Sequence, residues 1–181
     1  MKRHIPAATV AALLPVLVGF VWPGTVEWLC TRGVKQYAAG QFLEAGESFA
    51  RAREYAPDSP ALAYNHGTAL YGQERYDEAT EAFSAAAQSG DSGLARDSAY
   101  NLGNSRFTAG DLGAAIEAYK QALRTDPSDM DARHNLELAQ KKQQQQQQRQ
   151  QQKQQQERQQ QQEQQEQQQQ EQQQQEQQQQ E

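Results

Sequence analysis

Cysteine is nearly missing from this chain. Cys30 is the one thiol in 181 residues, so no internal disulfide is available. Histidine is scarce as well. His4, His66 and His134 stand far apart, and no Cys or His group has the spacing of metal ligands. No glycine-rich phosphate loop and no nucleophile motif occurs. Carboxylates are plentiful, as in Asp77-Glu78 and Glu44 with Glu47, but they fall where solvated outer helix faces are expected. These absences argue against an enzyme and leave no metal, cofactor or small-molecule substrate to expect. A formal net charge of −6 argues against nucleic acid as a partner. From Gln143 to Glu181 there is no apolar residue at all. That excludes a coiled-coil seam, which needs apolar a and d positions, and it excludes a buried core.

What is present is a repeat. A Gly-x-x-x-aromatic unit occurs at Gly33/Tyr37, Gly67/Tyr71 and Gly103/Phe107, at intervals of 34 and 36 residues. A period in this range means stacked supersecondary units, an architecture that builds binding surfaces. Each unit continues in the same way. A turn follows at Ala39-Gly40, Gln73-Glu74 and Ala109-Gly110, and a second helix opens at Phe42, Tyr76 and Leu112. That helix carries Ala45, Ala79 and Ala115, then a ring at Phe49, Phe83 and Tyr119, then Ala52, Ala86 and Ala122. Spacings of three, four and seven residues make one apolar helical face. The glycines belong where the two helices of a unit approach closely. Pro57 and Pro127 close the first and third units, where a helix cannot continue. The second ends instead in the loop Gln88-Ser-Gly-Asp-Ser-Gly93, which takes up the two extra residues.

These residues resemble the tetratricopeptide repeat (TPR) family. The third unit, from Tyr100-Asn-Leu-Gly-Asn104 to Asp126-Pro127, fits best. The second departs at His66 and the first at Arg32, where the family usually has leucine. The resemblance implies an all-α solenoid of three helix-turn-helix repeats with a capping helix. The expected divisions are residues 26–59, 60–93 and 96–129 for the repeats and 130–142 for the capping helix. A Gln-rich tail, disordered or partly helical, covers 143–181, and its far end is expected to be disordered. Its charges run from basic to acidic, against the helix dipole, and keep the tract soluble.

The N-terminus begins Met-Lys-Arg-His and then runs uncharged from Ile5 to Val26. A basic start before an apolar run marks an export signal or a membrane anchor. Residues 1–25 are therefore expected to be an uncleaved anchor embedded through residues 5–22, with a cleaved signal as the alternative. Lys2 and Arg3 favour a cytoplasmic N-terminus, with the repeats on the other side of the membrane. In a bacterium this places the protein at the inner membrane facing the periplasm, or in the periplasm after cleavage. Trp22 and Trp28 suit the interface. Leu29 before Cys30 is too large for a lipoprotein site, so Cys30 reads as a small apolar helix residue.

One constellation points to binding. Asn65, Asn101 and Asn135 take the same repeat position, spaced by 36 and 34 residues. In the TPR family that position lines the concave face. Thr68 and Asn104 lie one turn beyond two of them, and Tyr64 and Tyr100 precede two of them. Side-chain amides both donate and accept, matching a peptide backbone. Tyr71 and Phe107 would add apolar contact. The expected partner-binding set is Tyr64, Asn65, Thr68, Tyr71, Asn101, Asn104, Phe107 and Asn135. The competing reading is that the asparagines bond the neighbouring repeat.

Asp131 to Lys142 followed directly by glutamines is similar to the stand-alone TPR proteins of bacterial Bat (aerotolerance) operons, as are Asn101–Asn104 and Asp126-Pro127. That resemblance implies membrane association and partnership with von Willebrand A proteins and a MoxR-type ATPase. The rival expectation is a tethered spacer whose glutamine tail is the functional element.

Overall fold

The computed structural model describes residues 24–180, with side chains described through residue 165. Among them are seven helices and no strand. They are α1 (Thr25–Ala38), α2 (Phe42–Tyr55), α3 (Pro60–Gly72), α4 (Tyr76–Ala86), α5 (Ser92–Ala109), α6 (Leu112–Thr125) and α7 (Met130–Gln180).

The starts and stops are written locally. Ser59 caps α3 through its side chain, with Pro60 at the first helical position. Asp91, Asp111 and Asp129 cap α5, α6 and α7 by accepting from the amides of Leu94, Ala114 and Ala132. Between the helices of each pair one residue turns left-handed: Gly40 at φ 75°, Glu74 at 61° and Gly110 at 89°. The next amide then reaches back to a carbonyl, Gln41 to Gln36, Arg75 to Leu70 and Asp111 to Arg106, at 2.9–3.0 Å. This closes each helix C-terminus in the same way.

The pairs lock ring against glycine. A Cβ placed on Gly33, Gly67 or Gly103 would stand 2.7, 3.0 or 2.5 Å from the rings of Phe49, Phe83 and Tyr119. Only the missing side chain lets the rings sit there, and each ring is buried. Burying one such ring contributes about 1.5–3 kcal/mol. Ala45, Ala52, Ala79, Ala86, Ala115 and Ala122 are all fully buried and let the helices close up. Ala132 and Ala139 on α7 are equally buried, so α7 begins as the first helix of an incomplete fourth unit.

Neighbouring first helices touch: α1 meets α3, α3 meets α5 and α5 meets α7. The second helices α2, α4 and α6 do not meet one another. The array therefore curves with α1, α3, α5 and α7 on its inner side.

Two boundaries differ from the sequence expectation. Ser92 and Gly93 belong to α5, not to the end of the second repeat, because Asp91 supplies the cap. The last helix runs on past Lys142 through Gln180, as the partly helical reading of the tail allowed, although its far end was expected to be disordered. Gln, Glu, Lys and Arg are good helix formers, and no Gly or Pro interrupts them. The expected membrane segment falls mostly on residues 1–23, which lie outside the described residues. Among the described residues, no helix is long and apolar enough to cross a membrane.

Candidate partner-binding face

All eight expected residues lie on first helices or on α7, but they divide into two sets. Tyr71, Asn104, Phe107 and Asn135 come together around one small cavity of about 90 Å³, with Thr108, Tyr119 and Leu138 completing its wall. Tyr64, Asn65, Thr68 and Asn101 do not line it.

The asparagines are engaged within the solenoid. Asn101 donates from Nδ2 to the Tyr64 hydroxyl at 3.1 Å. Asn135 repeats this on Tyr100, also at 3.1 Å. Asn135 Nδ2 also donates to Asn104 Oδ1 at 3.1 Å, and the Tyr119 hydroxyl donates to that same oxygen at 2.9 Å. Asn65 Nδ2 lies 3.8 Å from the Cys30 sulfur, a weaker version of the same inter-repeat contact. Thr68 and Thr108 donate their hydroxyls back to the carbonyls of Tyr64 and Asn104, at 2.9 Å each. Among the described residues, Oδ1 of Asn65, Asn101 and Asn135 makes no hydrogen bond, leaving three acceptors in register.

The aromatic members differ in access. Tyr71 is 36% exposed and meets Tyr76 edge-on at 5.2 Å. Phe107 is half-buried, and the Lys142 ammonium stands 4.6 Å over its ring. Tyr64 is half-buried with its ring edge-on to Phe83 at 5.8 Å. Burial, and then the nearby Asp97 carboxylate, hold the Tyr64 phenol above its ordinary pKa. Burial does the same to Tyr119. Both hydroxyls therefore stay protonated and remain available as hydrogen-bonding groups.

Sequence reasoning missed Tyr119 as a polar member of the wall, and missed Leu138 and Lys142 altogether. A signal for the first existed. Tyr119 stands where the other repeats have Phe49 and Phe83, and its extra hydroxyl is the atom that holds Asn104. Leu138 and Lys142 lie three and seven residues beyond Asn135, on the same face of α7. Among the described residues, no group of His, Cys, Asp and Glu has the arrangement to hold a metal.

Stacked helical hairpins with a lined inner face define the class. Residues 30–93 match the family model described as tetratricopeptide repeat, and residues 103–144 match the one described as TPR repeat. Together they span more than half of the chain, which belongs to the tetratricopeptide repeat family. No curated protein matches it. Among solved structures, it is similar to the first TPR of Spaghetti (RPAP3) bound to the HSP90 peptide SRMEEVD. The TM-score there is 0.60 at 20% identity, over 65% of this chain and 91% of that one. MamA is similar with a TM-score of 0.61 at 26% identity, over 65% of this chain and 67% of that one. So is the TPR2AB domain of yeast Sti1 in its pHSP90 complex, at 0.59 and 26%, over 67% and 48%.

Proposed function

We propose that this protein is a non-catalytic scaffold that holds an extended segment of a partner protein along its inner face. The observation that carries this is the cavity between Tyr71, Asn104, Phe107 and Leu138, open at the curved side of the array. Its aromatic and leucine walls offer apolar contact, and the unused amide oxygens of Asn65, Asn101 and Asn135 accept peptide N–H groups. The similarity to TPR domains in complex with HSP90 segments supports the same mode. The finer reading is a membrane-tethered member of a Bat-type envelope assembly, with von Willebrand A proteins and a MoxR-type ATPase as partners. It rests on the sequence resemblance.

A second reading has its own support. At about 1.5 Å per residue, α7 is roughly 75 Å long, far beyond the repeats it closes. This favours a spacer role for the tail.

A crosslinking pull-down from membranes separates the two. Tyr71→Ser with Leu138→Ser strips apolar contact from the cavity while leaving every inter-repeat hydrogen bond in place. Loss of a specific partner in that variant, with retention after deletion beyond Lys142, supports the groove. The opposite pattern supports the spacer and overturns the groove.

A further inference from the structure

The first helix of the array is bare where its successors are covered. On α3, Leu62 packs against Leu29 and Ala52, and Ala69 against Ala45 and Phe49, all of the preceding hairpin. The same positions of α5, Ser98 and Ser105, are buried too. One repeat earlier, on α1, these positions are Trp28 and Lys35. Trp28 is 59% exposed, and Thr31, Arg32 and Lys35 are exposed beside it. Spacings of three, four and seven residues put the four on one face, over about 10 Å of helix. With Gln36 and Gln41 they line a depression of about 370 Å³. The Arg32 guanidinium stands 5.4 Å over the Trp28 ring. Among the described residues, neither Arg32 nor Lys35 has a carboxylate at ion-pair distance. Gln36 accepts from Ser48 on Oε1 at 2.6 Å, which leaves its NH2 group as the free end. The depression thus offers cations and donors, and no carboxylate lines it, in a chain of net charge −6. A face that only ended the solenoid would be polar throughout, and an exposed indole beside two unpaired cations is not that.

We propose that this face of α1 docks on the anionic phospholipid headgroups of a membrane. The proposal rests on the membrane-tethered reading above. Three observations select that occupant. The uncharged run from Ile5 ends at Val26, two residues before Trp28, so a tether through that run holds this face at the bilayer surface. Gly24 caps α1 with left-handed backbone at φ 94°, so α1 starts as a new helix whose axis is free to lie along the surface. The chemistry of the face is complementary to the headgroup layer. An indole settles at that level because its apolar body and its N–H are both satisfied there. Arg32 presents a fork that matches two phosphate oxygens, Lys35 adds a point charge, and the Gln36 NH2 donates. Glu27 is the carboxylate of α1, and it sits about 100° round the helix from Trp28, beside the contact rather than in it. The cavity at Tyr71, Phe107 and Leu138 has no lining residue on α1, so it stays open to a partner while α1 lies on the membrane.

The test uses the full chain carrying Trp22→Phe, so that Trp28 is the single indole. It is reconstituted in lipid nanodiscs of phosphatidylcholine alone, or with about one-third phosphatidylglycerol. Co-elution with the discs reports the tether, and acrylamide quenching of Trp28 emission reports the contact. Trp28 is expected to be shielded in the anionic discs and open in the neutral ones, and high salt should open it again. Arg32→Gln with Lys35→Gln should lower the docked-to-undocked ratio roughly thirtyfold, at about fivefold per cation near an anionic surface. Arg32→Glu with Lys35→Glu should dock instead on discs that contain a cationic lipid. Both residues are exposed, so unchanged melting of the domain is the folding control. A chain that co-elutes with both kinds of disc and shows equal Trp28 quenching in them overturns the proposal and leaves the tether standing. So does shielding that survives Arg32→Gln with Lys35→Gln. Shielding by added polyglutamate in neutral discs, with none from the anionic lipid, overturns it in favour of an acidic protein segment. A chain that co-elutes with neither disc overturns the tether, and the docking with it.

Discussion

The Asn135 amide donates to the Tyr100 hydroxyl at 3.1 Å, joining α7 to α5. Asn101 does the same to Tyr64, joining α5 to α3. A residue pair chosen for a binding ladder is thus also a pin between successive repeats.

Tyr100→Phe keeps the ring and removes the acceptor. It is expected to cost about 0.5–1.5 kcal/mol, the usual worth of a net hydrogen bond. Tyr64→Phe should behave alike. Urea denaturation reads both, and unchanged midpoints would show that the pins contribute nothing to stability.

The three glycine contacts differ in tightness, so the same change should have graded effects. Gly103→Ala drives a methyl to 2.5 Å from the Tyr119 ring and should destabilise by about 1–3 kcal/mol. At Gly67 the nearest ring atoms stand at 3.0 Å, and the gain of about 1 kcal/mol in helix propensity largely offsets the crowding. Equal losses at the two sites by chemical melting would count against this packing.

Glu74 occupies the left-handed turn position that Gly40 and Gly110 hold in the other repeats. Glu74→Gly should therefore stabilise the fold by about 1 kcal/mol, because the Cβ penalty disappears. Gly110→Ala, at φ 89°, should lose a similar amount. A thermal shift in the same direction for both would refute the assignment.

His66 makes stability depend on pH. Arg53 Nη1 lies 3.2 Å from His66 Nδ1, and since guanidinium only donates, Nδ1 accepts and must be unprotonated. Burial first, and then the charges of Arg53 and Arg75, hold the imidazole below its ordinary pKa. The unfolded chain thus binds the proton more readily than the folded one. The contribution is complete above the unfolded value of about 6.5 and is lost as pH falls toward the depressed folded value. His66→Leu should flatten stability over that window, as followed by denaturant midpoints at successive pH values.

The repeat and its packing were legible because they are local and repeated. Gly103 and Tyr119 lie 16 residues apart within one hairpin, and Gly33 with Phe49 and Gly67 with Phe83 keep the same separation. Periodicity alone therefore places small residues beside large ones. The asparagine register was equally visible, but its partners were not. Asn101 and Tyr64 are 37 residues apart, and Asn135 and Tyr100 are 35 apart. Those contacts form only when one hairpin docks on the next.

By itself the sequence determined the helices, their caps and the ring-in-glycine pairing, because each follows from hydrogen bonding and sterics inside one repeat. Tertiary structure decided which amide atoms remain free and which residues close the cavity. Leu138 reaches the cavity from α7, and Lys142 reaches the Phe107 ring, only because stacking brings α7 beside α5, and stacking geometry is a property of surfaces in contact rather than of any one repeat.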